Sequence, residues 1–220
     1  MPSDRTDTAA EAASAKTMVA IEADGLESAA AYKLISGSVT PRPIAWVSSL
    51  NEDASVNLAP FSSYVFLTYD PPKIGISIGP STAFVKDTLR NIERNGHFVV
   101  NSVSPDQLQS MVESSRRYPA GMSEAADLAV ALTPSLRIDT PRITDSEIAL
   151  ECVVDQVVEM GDRDAHRLVI GRVVTFQVDE RVLQRDRIHA FAPVGRIGGP
   201  LYVMPGEIRQ VRTTPDDRLP

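Results

Sequence analysis

The chain has 220 residues, 43% of them hydrophobic and 23% charged, so it can bury a sizeable core and its body is not a disordered one. A net charge of −7 disfavours a nucleic-acid binder, which needs a basic face against phosphates, and no apolar run approaches the roughly 20 residues that span a bilayer. The single cysteine excludes a disulfide framework within the chain and a cysteine-only zinc cluster.

Residues 1–20 read as a mobile leader. They are small, polar and alanine-rich, without the apolar stretch of a secretory signal and too acidic for a mitochondrial transit peptide, and Ala9 to Ala15 reads as a weak helix or as a segment that lies on a partner subunit. A cytoplasmic location follows. Residues 25–204 show no linker-like shift in composition and form one domain, and 205–220, charged and proline-punctuated, form a surface arm.

Ile44 to Leu50 is a strand, followed by a polar turn at Asn51 to Ser55 and a second strand from Val56. Tyr64 to Thr68 is aromatic and β-branched and is broken by Asp70-Pro71-Pro72. Lys73 to Gly79 places isoleucines at 74, 76 and 78, the period-two signature of a half-buried strand. Thr88 to Asn95 carries Leu89 and Ile92 on one side of a helix that stops at Gly96. His97 to Val103 is another strand. Ser104-Pro105-Asp106-Gln107 is a capping box that opens a helix burying Leu108, Met111 and Val112. Ser123 to Leu132 is a third helical candidate. Glu147 to Glu159 and Arg167 to Asp179 then form a long antiparallel hairpin joined near Gly161-Asp162. Ile148, Leu150, Cys152 and Val154 share one face of its first arm; Leu168, Ile170, Val174, Phe176 and Val178 share one face of the second. Many strands with few inserted helices predict a mainly β protein, a closed or nearly closed antiparallel barrel.

Most enzyme classes find no support. There is no G-x-G-x-x-G after a strand, no phosphate-binding G-x-x-x-x-G-K-[ST] and no G-x-S-x-G. His97, His166 and His189 have no metal-ligand spacing, so no metal is expected. Cys152, mid-strand on an apolar face, reads as a buried small hydrophobe. Three polar clusters remain. Pro41-Arg42-Pro43 fixes an arginine at the start of a strand that ends in Ser48 and Ser49; the plain reading points Arg42 to solvent. In Asn57-Leu58-Ala59-Pro60-Phe61-Ser62 a proline interrupts pairing and leaves backbone groups free, which suits the edge of a planar heterocycle, or simply a loop. Lys86-Asp87-Thr88 opens a helix, whose first turn offers N–H groups and a positive dipole end to phosphate. From spacing alone Asp87 or Thr88 reads more readily as an N-cap.

In order, these segments resemble the flavin reductase-like family with the FMN-binding split barrel, in its flavoredoxin-type branch. The resemblance runs from Tyr32-Lys33-Leu34 through Pro41 to Ser48, Asn57 to Ser62, Asp70-Pro71-Pro72, Lys86-Asp87-Thr88 and Phe98-Val99-Val100-Asn101. It continues through Ile170-Gly171-Arg172 to Gly195-Arg196-Ile197-Gly198-Gly199 and Tyr202. It implies a Greek-key split barrel with peripheral helices, and a homodimer with FMN near the interface. Trp46, Val47, Ser48, Ser49 and Asn57, Leu58, Ala59, Pro60, Phe61, Ser62 would line the isoalloxazine and ribityl chain. Lys86, Asp87 and Thr88 would meet the phosphate, with Arg42 a further contact, and Arg196 would hold a loop or approach the flavin. Tyr64, His97 and His166 depart from the pattern and read as surface or packing, and Met122 to Pro141 is placed to cover the site.

The activity so implied is that of an NAD(P)H:flavin reductase. NADH or NADPH is the hydride donor, and a small-molecule electron acceptor or a partner monooxygenase receives the electrons. No side chain needs to act as acid or base for hydride transfer, so no catalytic residue is assigned. The alternatives are a tight prosthetic FMN that reduces a nitro compound, quinone, metal chelate or activated alkene, and a non-enzymatic flavin-binding protein.

Overall fold

Seven strands whose apolar residues alternate build the body of the molecule. The computed structural model describes residues 17–79, 86–162, 166–189 and 191–209; the helical character expected for Ala9 to Ala15 and most of the C-terminal arm lie outside them. β1 (Ala45–Leu50), β2 (Val56–Phe61), β3 (Tyr64–Tyr69), β4 (Pro72–Ile78), β5 (His97–Asn101), and two long strands, Ile148–Met160 and His166–Val178, form one antiparallel sheet. Leu132–Thr133 (β6) and Arg142–Ile143 (β7) pair separately, which makes the long strands β8 and β9. The order is β2-β1-β5-β8-β9-β4-β3.

Edge strands β2 and β3 are consecutive in the chain, joined only by Ser62 and Ser63. Two residues between strand ends span at most about 11 Å, so the sheet must curl until its edges meet. The Ser77 N–H donates to the Ser63 carbonyl at that corner, at 2.9 Å. The result is a mainly β, antiparallel split barrel.

Ile74, Ile76 and Ile78 enter the barrel as their spacing predicts, with Val47, Phe98, Val100, Cys152, Val169 and Val173. β1 is buried on both faces. Ala45 and Val47 point inward, whereas Ile44 and Trp46 join a second core with Leu58, Met111 and Ile143. Helices cover that outer side. α2 (Asp87–Asn95) ends at Gly96 with φ of 72°, as expected. The capping box at Ser104 forms, the Ser104 N–H donating to Gln107 Oε1 at 3.0 Å, and leads through a 3₁₀ turn into α3 (Leu108–Glu113).

Several expectations are corrected. α1 (Ser28–Ser38) is an additional helix with no buried residue, so no apolar stripe announced it. The third helix is only α4 (Glu124–Asp127); the chain then leaves for β6. The inward face of β9 is Val169-Gly171-Val173, opposite in phase to Leu168 and Ile170, and Phe176 is exposed. Gly171 disguised that face. A Cβ there would stand 2.6 Å from Phe98 Cζ, so the innermost position of the strand has no side chain. Register shifts between Glu151 and Cys152 and between Val154 and Gln156 alter the phase again. Short pairs β10 (Leu183–Gln184) with β11 (Arg187–Ile188), and β12 (Gly195–Arg196) with β13 (Tyr202–Val203), complete the described strands.

Candidate functional site

The Asn57 to Ser62 segment is not an interrupted loop. β2 pairs with β1 along its whole length, Trp46 opposite Pro60 and Val47 opposite Ala59. Pro60 is tolerated because β2 is an edge strand, where no further strand asks for its missing N–H. The groups of β2 that turn away from β1 are bound by α4 and its cap. Leu58 N–H donates to Glu124 Oε2 at 2.9 Å and Ser123 Oγ donates to the Val56 carbonyl at 2.6 Å.

Beside this edge lies a cavity of about 640 Å³, within the range of small-molecule sites. It brings Asn57, Ala59, Pro60 and Phe61 together with Lys86, Asp87 and Thr88, two clusters about 25 residues apart in sequence. Its far wall is Ser114 to Ala120, the connection after α3, with Glu124 beneath. Sequence reasoning missed that wall. Of the Met122 to Pro141 segment expected to cover the site, only Glu124 lines it.

Each polar group has a defined part. Asn57 Nδ2 donates to Ser49 Oγ at 3.3 Å and to Thr88 Oγ1 at 3.0 Å, locking β2 to the start of α2. Thr88 Oγ1 accepts that bond, so its hydrogen stays available to a ligand. The N–H groups of Asp87, Thr88 and Leu89 precede the first intrahelical bond, Arg90 N–H to Lys86 O. Lys86 extends over the Phe61 ring, 5.3 Å from ammonium to centroid. Its side chain is exposed at the mouth, yet the surrounding walls partly desolvate the ammonium and lower its pKa. Among the described residues no carboxylate pairs with it. The Asp87 carboxylate instead pairs with Arg90 and accepts the Gly121 N–H at 3.1 Å, tying the far wall to α2. Its backbone N–H, not its carboxylate, suits an anion. Glu124 is 6% exposed, and burial pushes its pKa up against the Leu58 hydrogen bond.

Trp46, Val47, Ser48 and Ser49 do not line the cavity; all four are at most 1% exposed. Trp46 Nε1 donates to Ser114 Oγ at 3.0 Å and so holds the far wall. Ser48 Oγ donates to the Pro141 carbonyl. Leu58 is also buried, in the second core. Arg42, Ser62 and Arg196 cluster beyond Phe61. Arg42 Nε donates to Ser62 Oγ at 3.3 Å and its Nη1 to the carbonyls of Ser36 and Val39, so the guanidinium anchors the end of α1 rather than pointing to solvent. Arg196 exchanges backbone bonds with Arg42 and gives its guanidinium to Tyr202 Oη and Gly199 O. These contacts hold the Gly198-Gly199 loop against β13. Tyr64 packs against the barrel core and burial raises its pKa to about 12. His97 Nδ1 lies 2.9 Å from Thr140 Oγ1 and His166 Nδ1 3.2 Å from Ser77 Oγ; neither residue lines the cavity.

The donor set fits a flavin mononucleotide. An apolar strand edge at Ala59-Pro60-Phe61 meets one face of the cavity, and a helix start with a hydroxyl and an unpaired ammonium meets its end.

The Flavin reductase like domain family matches residues 37–212. An uncharacterized protein of Halalkalibacterium halodurans is 37% identical over 190 residues, covering 84% of this chain and 91% of that protein. The crystal structure of nitrilotriacetate monooxygenase component B from Bacillus cereus superposes with a TM-score of 0.85 at 31% identity, covering 89% of this chain and 100% of that one. That of Pseudomonas fluorescens 2-nitrobenzoate 2-nitroreductase gives 0.80 at 36% identity, over 92% and 98%.

Proposed function

This chain belongs to the flavin reductase-like family, and from that premise we propose that it is an FMN-dependent NAD(P)H:flavin reductase. The observation that carries the reading is the juxtaposition, in one cavity, of the β2 edge with Lys86 and the first turn of α2. When bound, FMN would supply the redox chemistry, as the acceptor of hydride from NADH or NADPH. The chain binds and orients. Lys86, Thr88 and the first-turn N–H groups of α2 hold the phosphate; Ala59, Pro60 and Phe61 present an apolar edge to the ring system; Asn57 fixes the distance between the two. Glu124 keeps β2 in place from behind through Leu58.

Likeness to a monooxygenase component B supports electron delivery to a partner monooxygenase. A second reading, FMN held as a tight prosthetic group that reduces a nitro compound, is supported by likeness to a nitroreductase. The homodimer is supported by apolar surface left open on the single chain. β3 exposes Val65 by 51%, Phe66 by 72% and Tyr69 by 88%, and α1 exposes Tyr32 and Ile35. The test is steady-state oxidation of NADH and NADPH with free FMN supplied at increasing concentration. Saturable dependence on FMN fits the diffusible-flavin reductase. A rate that depends on a nitroarene and not on added FMN fits the prosthetic reading. No oxidation under either condition refutes both.

A further inference from the structure

Two of the cations that line the cavity, Lys86 and Arg117, have no carboxylate partner among the described residues. Lys86, Arg90, Arg116 and Arg117 line it against Asp87 and Glu124, in a chain of net charge −7. Asp87 is taken by Arg90, and Glu124 is buried on the Leu58 N–H. Glu113, outside the lining, pairs with Arg116. Among the described residues no carboxylate pairs with Arg117. These two unpaired cations stand on two different elements. Lys86 sits at the start of α2 beside Phe61, and Arg117 sits on the wall after α3, next to Arg116, whose charge Glu113 offsets. That wall is held in place: Ser114 Oγ accepts from Trp46 Nε1 and donates to the Met111 carbonyl at 2.8 Å, and Ser115 Oγ donates to the Val112 carbonyl at 2.6 Å. An arginine without a carboxylate partner among the described residues, on an anchored turn that lines a concave site, suits an oxyanion that accepts paired hydrogen bonds.

We infer that Arg117, with Arg116 beside it in the chain, forms a second anion subsite of the cavity, which takes the phosphate monoester or carboxylate of the ligand that exchanges electrons with the flavin. This rests on the flavin reading of the same cavity. The shared chemistry has two sources. One is the 2′-phosphate that distinguishes NADPH from NADH; the other is a carboxylate on the electron acceptor.

The test is calorimetric titration of FMN-loaded protein with two matched pairs of probes, adenosine 2′-monophosphate against adenosine and benzoate against benzamide. The wild-type protein and the double variant R116Q/R117Q are compared. At least one anionic probe binds the wild type about tenfold or more tighter than its neutral counterpart, and the double variant loses that preference. Preference for the nucleotide assigns the donor as the source; preference for benzoate assigns the acceptor. No preference in the wild type, or a preference that survives in the double variant, overturns the inference. So does a double variant that loses FMN as Lys86→Ala does, since both arginines would then serve the flavin phosphate. Wild-type protein that takes up no FMN, seen by absorbance before titration, overturns the flavin reading and this inference with it.

Discussion

The ammonium of Lys86 stands 5.3 Å from the centroid of the Phe61 ring. The residue before α2 and the last residue of β2 therefore share one point at the cavity mouth, cation and apolar surface together. Lys86→Ala should weaken FMN binding about tenfold or more, because charge-assisted hydrogen bonds to phosphate contribute about 1.5–3 kcal/mol each. Quenching of FMN fluorescence on titration measures it. Burial disfavours the charged ammonium, so Lys86 loses its proton below the ordinary lysine range. Wild-type affinity should accordingly fall as pH rises through that lowered pKa, and the alanine variant should lack this limb.

Asp87 separates two roles that its position confounds. Its carboxylate binds Arg90 and the Gly121 N–H, and its charge opposes a phosphate at the same helix start. Asp87→Asn keeps an acceptor for Gly121 and removes the charge; it should bind FMN at least as tightly as the wild type. Asp87→Ala, which also releases the far wall, should bind more weakly. Equal losses in both variants would mean that the carboxylate itself serves the ligand.

Glu124 is a stability residue at the site's floor. Glu124→Ala leaves the buried Leu58 N–H without an acceptor and should cost about 1–3 kcal/mol in denaturant unfolding; Glu124→Gln should cost less. Its folded-state pKa is raised by burial, so the native state holds the proton more firmly than the unfolded chain. The stability this contributes is complete below the ordinary glutamate pKa and is lost as pH rises through the raised one. Wild-type protein should therefore gain on Glu124→Gln as pH falls from neutrality toward that range, read as a change in the difference of Tm.

Gly171 and Phe98 are coupled through the barrel interior. An alanine at 171 would place its Cβ 2.6 Å from Phe98 Cζ, in a core where Phe98 is fully buried. Gly171→Ala should destabilise by about 1–3 kcal/mol. In the Phe98→Leu background the same change should cost clearly less. An additive double variant would place the strain elsewhere.

Phe66 tests the proposed assembly. It lies on β3 with 72% of its surface exposed. Phe66→Glu should convert a dimer to a monomer by light scattering after gel filtration, with the far-ultraviolet spectrum of the fold retained. A wild-type monomer would refute the assembly outright.

What was legible in the sequence was what periodicity and punctuation encode. The isoleucines of β4, the stop at Gly96, the capping box at Ser104 and the β8–β9 hairpin could all be read, because local sequence alone determines them. Gly171 shows the limit. The most crowded inward position of β9 carries no side chain, so hydrophobicity pointed to the wrong face. α1 escaped because it buries nothing in the single chain. The two halves of the cavity, Asn57 to Phe61 and Lys86 to Thr88, were visible as polar clusters, but their meeting depends on the Asn57–Thr88 hydrogen bond. The wall at Ser114 to Ala120 has no periodicity, and a tryptophan 68 residues earlier holds it in place. Trp46 itself, expected beside the ligand, is consumed in that support, since β1 is buried on both faces.

The central claim is that this cavity holds a reducible flavin. The direct measurement is the visible absorption spectrum of protein mixed with FMN and passed through gel filtration, recorded anaerobically before and after NADH or NADPH. A flavin spectrum that travels with the protein and bleaches on addition of a nucleotide, or a colourless protein that still accelerates NAD(P)H oxidation when free FMN is returned, is the predicted result. Protein that neither retains flavin nor accelerates the reaction in its presence would contradict the account.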